Sequence, residues 1–259
     1  MATPVFFADT CVGGLSVLKS LWGAGMAGNA VFMADYVVNP LGIKSDAEIA
    51  DVVQRWMGFA EEHAETLVIA CNTLSIRYHE LHRQTVPETG LGQVVSMVDC
   101  FKAMVRAEAG RLAGRKVLVI GTEFTATQDM YPALIKAGAP GAQVSTFGAT
   151  ELERRIARFE PLDGGGESVF DGDLQAAIAG VDFAVLACTC FPMVSSRLAN
   201  LFPGVTFLDP GSYCADLLPR SNDTGDRKLR IEVTGSVVEQ ARVTKFAQTY
   251  LGHGSEILP

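Results

Sequence analysis

The 259-residue chain has no excess of basic residues: 21 lysines and arginines stand against 29 acidic residues, and the formal net charge is −8. Without a cationic field to release counterions from a phosphate backbone, no nucleic-acid or anionic-membrane partner is expected. A small anionic ligand remains allowed, because a few backbone N–H groups hold one locally. No apolar run approaches the ~20 residues of a membrane span, and Met1-Ala2-Thr3-Pro4 lacks the charged n-region of a secretory signal. These absences point to a cytoplasmic protein. A P-loop Gly-Lys-Ser/Thr and the third glycine of a dinucleotide fingerprint are also missing. Among four histidines, His79 and His82 stand at i, i+3 with no third ligand at a recognisable offset, so they read as surface residues. Neither a metal nor a cofactor is expected.

What the chain does have is six cysteines, Cys11, Cys71, Cys100, Cys188, Cys190 and Cys214. In a long, loop-poor chain of a reducing compartment they are not a disulfide framework. By type alone each reads as a small buried hydrophobe, so position must separate a reactive thiol from a packed one. Leu67-Val68-Ile69-Ala70 runs into Cys71-Asn72-Thr73, and Val185-Leu186-Ala187 runs into Cys188-Thr189-Cys190 117 positions after Cys71. Val5-Phe6-Phe7-Ala8-Asp9-Thr10 has its own echo in Leu118-Val119-Ile120-Gly121-Thr122, the two threonines 112 apart. Two echoes at nearly equal offset imply a duplicated half. Short β-rich runs read as buried parallel strands, and residues just past their ends occupy the ligand position of open α/β sheets. The expected fold is two pseudo-symmetric open α/β lobes with mainly parallel sheets and a site in the cleft between them. Residues 1–97 with 209–259 form the first expected lobe, and 98–208 the second.

Along the chain, Asp9 to Gly14 reads as a strand end and glycine turn, and Leu15, Leu18 and Leu21 as a helix face. Ser45 with Glu48 predicts a capping box, and Ile49, Val52, Val53, Trp56 and Phe59 the apolar stripe of the helix behind it. Val94 to Val98 predicts a strand ending at Asp99, with Cys100 packed beyond it. Thr125 reads as a helix cap, residues 161–167 and 221–226 as polar loops, and 229–234 as a strand. Cys214 reads as buried in a short helix over 212–219. Ser236 and Glu239 predict the cap of a last helix, and Gly252 its end.

Two thiols in mirrored positions suit removal of a proton from one face of a carbon and its return to the other. One must be thiolate while its partner is thiol. Lowering an ordinary thiol from about 8.5 to about 7 takes roughly 2 kcal/mol, much of which a helix N-terminus after each cysteine supplies. Asn72, Thr73, Thr189 and the Gly13-Gly14 turn are placed to hold a substrate carboxylate and stabilise charge at the adjoining carbon.

These motifs resemble glutamate racemases, of the aspartate/glutamate racemase superfamily. Asp9-Thr10-Cys11-Val12-Gly13-Gly14 is similar to their Asp-Ser-Gly-Val-Gly-Gly, and Pro40-Leu41-Gly42-Ile43-Lys44-Ser45 to their Pro-Tyr-Gly-Thr-Lys-Ser. Ala70-Cys71-Asn72-Thr73 matches Ala-Cys-Asn-Thr, Gly121-Thr122 with Thr125 matches Gly-Thr-x-x-Thr, and Cys188-Thr189-Cys190-Phe191-Pro192 resembles Cys-Thr-His-Tyr-Pro. The resemblance implies a cofactor-independent amino-acid racemase whose acid/base thiols are Cys71 and Cys188. It also implies that Asp9 contacts the substrate amino group or orients Cys71, and that Thr10, Asn72, Thr73, Thr122, Thr125 and Thr189 bind the substrate's polar ends. The Pro40, Leu41 and Gly42 backbone would help receive a side-chain carboxylate. In that family the product D-glutamate feeds bacterial cell-wall (peptidoglycan) synthesis.

The departures are Cys190 for the family's histidine, Leu41 for tyrosine, Cys11 for glycine, and Ala149 to Glu153 for a proline-rich stretch. Cys190 is expected to tune Cys188, since a thiol cannot hold a neighbouring thiolate as a cationic histidine can. The departures leave glutamate, aspartate and other acidic substrates open, as they leave an isomerase or decarboxylase of the same superfamily. Retention of both cysteines weighs against decarboxylation, which can use one thiol. A reading from another class is a thiol or metal module on Cys188-Thr189-Cys190. It ranks lower because Cys-x-Cys offers two ligands where structural zinc takes four. The expected partners are a small acidic amino acid and, as an open option, a second copy of the chain.

Overall fold

A computed structural model describes residues 4–25, 28–82, 89–160, 170–219, 227–252 and 255–258. In chain order the strands are β1 (Val5–Asp9), β2 (Ala30–Asp35), β3 (Thr66–Ile69), β4 (Gln93–Ser96), β5 (Lys116–Gly121), β6 (Gln143–Gly148), β7 (Phe183–Leu186), β8 (Thr206–Leu208), β9 (Arg227–Thr234) and β10 (Ser255–Leu258). The helices are α1 (Gly14–Gly23), α2 (Asp46–Glu61), α3 (Asn72–Leu81), α4 (Met97–Leu112), α5 (Glu123–Thr127), α6 (Met130–Gly138), α7 (Thr150–Ala157), α8 (Gly172–Ala179), α9 (Ser195–Leu201) and α10 (Val237–Leu251). Among the described residues the strands form two sheets, ordered β10-β9-β2-β1-β3-β4 and β6-β5-β7-β8, with every pairing parallel.

Parallel strands need crossover helices, which cover both faces of a sheet and make its strands apolar on both sides. Phe7 on β1 packs with Leu15 and Leu18 of α1 and with Val243 and Ala247 of α10. Its neighbours Phe6 and Ala8 point to the other face and join Ile49, Val53 and Trp56 of α2. The second sheet repeats the pattern: Leu118 and Ile120 of β5 meet α7, α8 and α9, whereas Val117 and Val119 meet α4 and α6. In each sheet the first strand lies between the second and third, β1 between β2 and β3, β5 between β6 and β7. The chain therefore leaves to opposite sides of β1 and of β5, opening a crevice at the carboxyl ends of those strands. The two α/β lobes thus share one local topology, and the sheet of the first carries β9 and β10 in addition.

The capping boxes at Ser45/Glu48 and Ser236/Glu239 are present. Several local expectations are corrected. Phe59 is 41% exposed, and Met57 and Ala60 complete the buried stripe of α2 instead. The strand at 94–98 stops at Ser96, because Ser96 and Asp99 form a capping box that makes Met97 and Val98 helical. Thr122 rather than Thr125 caps α5, its Oγ1 accepting from the Thr125 N–H. His79 is not a free surface residue: its Nε2 lies 2.9 Å from Ser96 Oγ and 3.6 Å from Asp99. No apolar run in the sequence marks β10 as a strand, and the loops at 161–167 and 221–226 lie outside the described residues. Cys100 and Cys214 are fully buried in the core.

Burial works against ionisation of Asp99, but hydrogen bonds from His79 and Ser96 hold its carboxyl well below the usual range. A carboxylate depressed in the fold contributes stability above its unfolded value near 3.9 and loses it as pH falls toward the folded value. Asp99→Asn should therefore be less stable than wild type at pH 7, by about 0.5–2 kcal/mol for a lost capping interaction. The gap should narrow progressively in urea-unfolding series taken at successively lower pH below about 4.

Candidate active site

The carboxyl ends of β1, β3, β5 and β7 meet across one cavity of about 420 Å³. Asp9, Thr10, Pro40, Leu41, Gly42, Cys71, Asn72, Thr73, Thr122, Cys188 and Thr189 all line it. Thr125 does not; it is buried behind the wall, its Oγ1 3.2 Å from that of Thr122. Cys190 does not line it either, being fully buried with its Sγ 3.4 Å from that of Cys11.

Asp9 is the most connected of these side chains. Its Oδ1 accepts from the Thr10 backbone N–H at 2.6 Å, and its Oδ2 accepts from Thr189 Oγ1 at 2.9 Å, across the cleft. Ser16 Oγ in turn donates to the Thr189 carbonyl at 2.8 Å. Burial raises the Asp9 carboxyl to about 7, although the bonds from Thr189, Thr10 and the Gly14 backbone pull it down. The lobes approach so closely here that a Cβ on Gly13 would stand 2.5 Å from Thr189 Oγ1 and 3.0 Å from the Cys190 nitrogen. That close approach is the physical reason for glycine at 13.

Cys71 is the N-cap residue of α3, and Thr10 Oγ1 lies 4.0 Å from its sulfur. A helix N-terminus was expected to lower this thiol. The Leu74 N–H does act in that direction, yet burial and the nearby Asp9 outweigh it and push Cys71 well above its ordinary value. Burial and the Asp9 carboxyl thus both favour the protonated form of Cys71.

Three further contacts cross the cleft. Thr73 and Thr122 stand 3.3 Å apart through their hydroxyls. The Cys11 and Cys190 sulfurs touch. Tyr131 of α6, fully buried and stacked on Phe101 at 4.0 Å, donates its hydroxyl to Asn72 Oδ1 at 2.6 Å. This fixes the Asn72 amide, whose Nδ2 is buried with no hydrogen-bond partner among the described residues. A buried N–H left unpaired is costly, so that group is suited to an acceptor arriving in the cavity. In the sequence only an apolar helical period marks Tyr131. Glu153 of α7, also a cavity residue, was noted only as part of a departing stretch. Burial raises its carboxyl, against the pull of Arg154 and Arg158.

The model of the Asp/Glu/hydantoin racemase family matches residues 26–218. The chain belongs to that family. It is accordingly an enzyme of the isomerase class. Curated glutamate racemases are similar to it: that of Levilactobacillus brevis is 27% identical over 217 residues, covering 82% of this chain and 76% of that one. That of a Nostoc species is 28% identical over 244 residues, covering 90% and 80%. Among solved structures, glutamate racemase from Campylobacter jejuni superposes with a TM-score of 0.74 at 22% identity, covering 96% of this chain and 98% of that one. The Escherichia coli glutamate racemase in complex with L-glutamate and the activator UDP-MurNAc-ala superposes with a TM-score of 0.68 at 23% identity, covering 98% and 97%. At these identities the superpositions establish a shared family fold. No helix among the described residues is long and apolar enough to cross a membrane.

The Tyr131–Asn72 contact is testable by itself. Tyr131→Phe should lower unfolding stability by about 1–3 kcal/mol, the usual result of leaving a buried acceptor unpaired. A double-mutant cycle with Asn72→Ala should return a coupling of at least about 0.5 kcal/mol. Additive effects in denaturant unfolding would mean that the tyrosine does not hold the amide.

Proposed function

We propose that the protein interconverts L- and D-glutamate without a cofactor, using Cys71 and Cys188 as its two acid/base groups. The observation that carries this reading is that two thiols, each at the end of an equivalent strand of a separate sheet, line one cavity with Asp9 and a set of threonines. The names of the similar curated proteins support glutamate as the substrate.

In one direction a thiolate on one face takes the Cα proton, the Cα–H bond breaks, and the electron pair stays on carbon beside the carboxylate. The opposite thiol then delivers its proton to the other face and is left as thiolate, so the two sulfurs exchange states in each turnover. Among the described residues no lysine, arginine or histidine lines the cavity. The substrate ammonium brings a positive charge, and at Asp9 it favours both the carboxylate and a nearby thiolate. The Asn72 Nδ2 and the hydroxyls of Thr73 and Thr122 donate to the α-carboxylate, where charge grows as the proton leaves, while the Thr189 hydroxyl holds the Asp9 carboxylate beside it. Thr10 steadies Cys71, Thr125 backs Thr122, and the Pro40-Leu41-Gly42 turn receives the distal carboxylate. We assign residues 1–97 with 209–259 to one lobe and 98–208 to the other, the cleft closing between them on substrate. Supply of D-glutamate to peptidoglycan in the cytoplasm is the corresponding cellular role.

Incubation with L-glutamate, D-glutamate and both aspartates, followed by chiral chromatography, tests the reading. Glutamate should racemise to an equal mixture with no additive, and aspartate should turn over more slowly. Cys71→Ala and Cys188→Ala should each lose 10² to 10⁴ in kcat/KM or more, the worth of a positioned acid or base. Cys100→Ala and Cys214→Ala should stay within a few fold. Unchanged turnover in either of the first two variants would overturn the two-thiol assignment, and preference for aspartate would overturn the substrate.

A further inference from the structure

Cys190 is one of two cysteines that face each other across the lobes without entering the chemistry above. Cys11 lies in the turn between β1 and α1 of the first sheet's lobe, and Cys190 in the turn after β7 of the second. They are 179 positions apart in sequence, yet their sulfurs are 3.4 Å apart and both residues are buried. The Glu153 carboxylate reaches the same point from α7, and one ligand atom from each of the three lies within 4.8 Å of the other two. Two touching thiols are ordinary packing. A half-buried carboxylate held beside them on the cavity wall adds an oxygen ligand to the two sulfurs and makes a three-ligand set.

From this cluster we propose that Cys11, Cys190 and Glu153 bind one divalent ion of the zinc class, with a fourth coordination position open on the cavity side. Tetrahedral zinc with sulfur at about 2.3 Å and oxygen at about 2.0–2.2 Å needs ligand atoms spaced by roughly 3.6–3.8 Å. The sulfurs therefore separate by a few tenths of an ångström, and the carboxylate swings in by about one ångström at most. Two thiolates and one carboxylate select a borderline-soft ion and disfavour magnesium or calcium, which take oxygen ligands. Cys11 and Glu153 line the cavity, which supplies an entry path. Water or a solute in the cavity completes the shell. Along the chain only the Cys188-x-Cys190 pair stands out as a possible ligand set. The fold instead separates the roles, placing Cys188 on the cavity wall and Cys190 against Cys11 behind it.

The ligands come from both lobes, so the ion joins them. It binds the folded chain in preference to the unfolded one and should raise the thermal midpoint as its concentration rises. The test is a titration of the full-length protein, kept reduced by a phosphine and free of amino acids, with Zn²⁺ against a chromophoric chelator and with Co²⁺ by absorption. One equivalent should bind, with a thiolate-to-cobalt charge-transfer band in the near ultraviolet. Cys11→Ser and Cys190→Ser should weaken binding by on the order of 10² or more, since even partners of metal ligands are worth 10–100-fold. Glu153→Gln should weaken it by about tenfold or more. Cys71→Ser and Cys188→Ser should bind within a few fold of wild type. If a serine at 11 or 190 prevents folding, judged by circular dichroism, Glu153→Gln decides. Wild-type affinity in Glu153→Gln, or loss of the band in Cys71→Ser or Cys188→Ser with retention in Cys11→Ser, would overturn the site. Because binding is read without substrate, a protein that binds the ion but does not racemise glutamate would refute the functional reading and leave this one standing.

Discussion

A carboxylate without water around it must find its hydrogen bonds in the protein, and Asp9 finds one of them in the other lobe. Its Oδ2 takes the Thr189 hydroxyl while Ser16 takes the Thr189 carbonyl, so one residue of the second lobe is gripped at both ends by the first. The rest of the cleft is built around that grip. Gly13 must be glycine because Thr189 and Cys190 press against it, and the Cys11–Cys190 and Thr73–Thr122 contacts fall into place on either side. The same burial that makes the Asp9 bonds necessary raises its carboxyl toward neutrality and drives up the Cys71 thiol beside it. The described lining of this cavity carries carboxyl groups but no cationic side chain, and an incoming zwitterion changes its balance more than it would in water.

The second constraint is that the two sheets are parallel and covered on both faces. Each strand end is then the one place where backbone and side chains meet solvent without a helix in the way, and the functional groups collect there. Tyr131 shows how support reaches the cleft from behind: it belongs to the core by its ring and to the site by its hydroxyl. Core packing and site geometry are joined through that one side chain.

Much of this was legible in the chain. Apolar runs that end in Asp9-Thr10, Cys71-Asn72, Gly121-Thr122 and Cys188-Thr189 announce strand ends, because a buried parallel strand is apolar throughout and changes character where it emerges. Capping boxes at Ser45 and Ser236 were readable for the same reason: they are local, and four residues carry the whole signal. What escaped depends on lateral contact. Periodicity placed Phe59 on the buried stripe of α2, but the face actually covered turns toward Met57 and Ala60. Ser96 was missed as a cap because the apolar Met97 and Val98 prolong the strand pattern past the true start of α4. Nothing along the chain indicates that Cys11 and Cys190 touch, or that Tyr131 reaches Asn72, since each pair joins different lobes.

The matching order of β2-β1-β3-β4 and β6-β5-β7-β8 has a geometric consequence. An active site for mirror-image substrates cannot itself be a mirror image, because L-residues cannot build one. Rotation is the operation available to a chain of one handedness. On the proposed two-thiol reading, two strand-and-turn units facing each other across a cleft would present like groups to opposite faces of a flat carbon centre. Whatever distinguishes the substrate's three substituents must then break that rotational equivalence, which is where Asp9 and Asn72, on one side, differ from Gly121 and Thr189 on the other. Duplication supplies the even-handedness, and divergence between the copies supplies the grip.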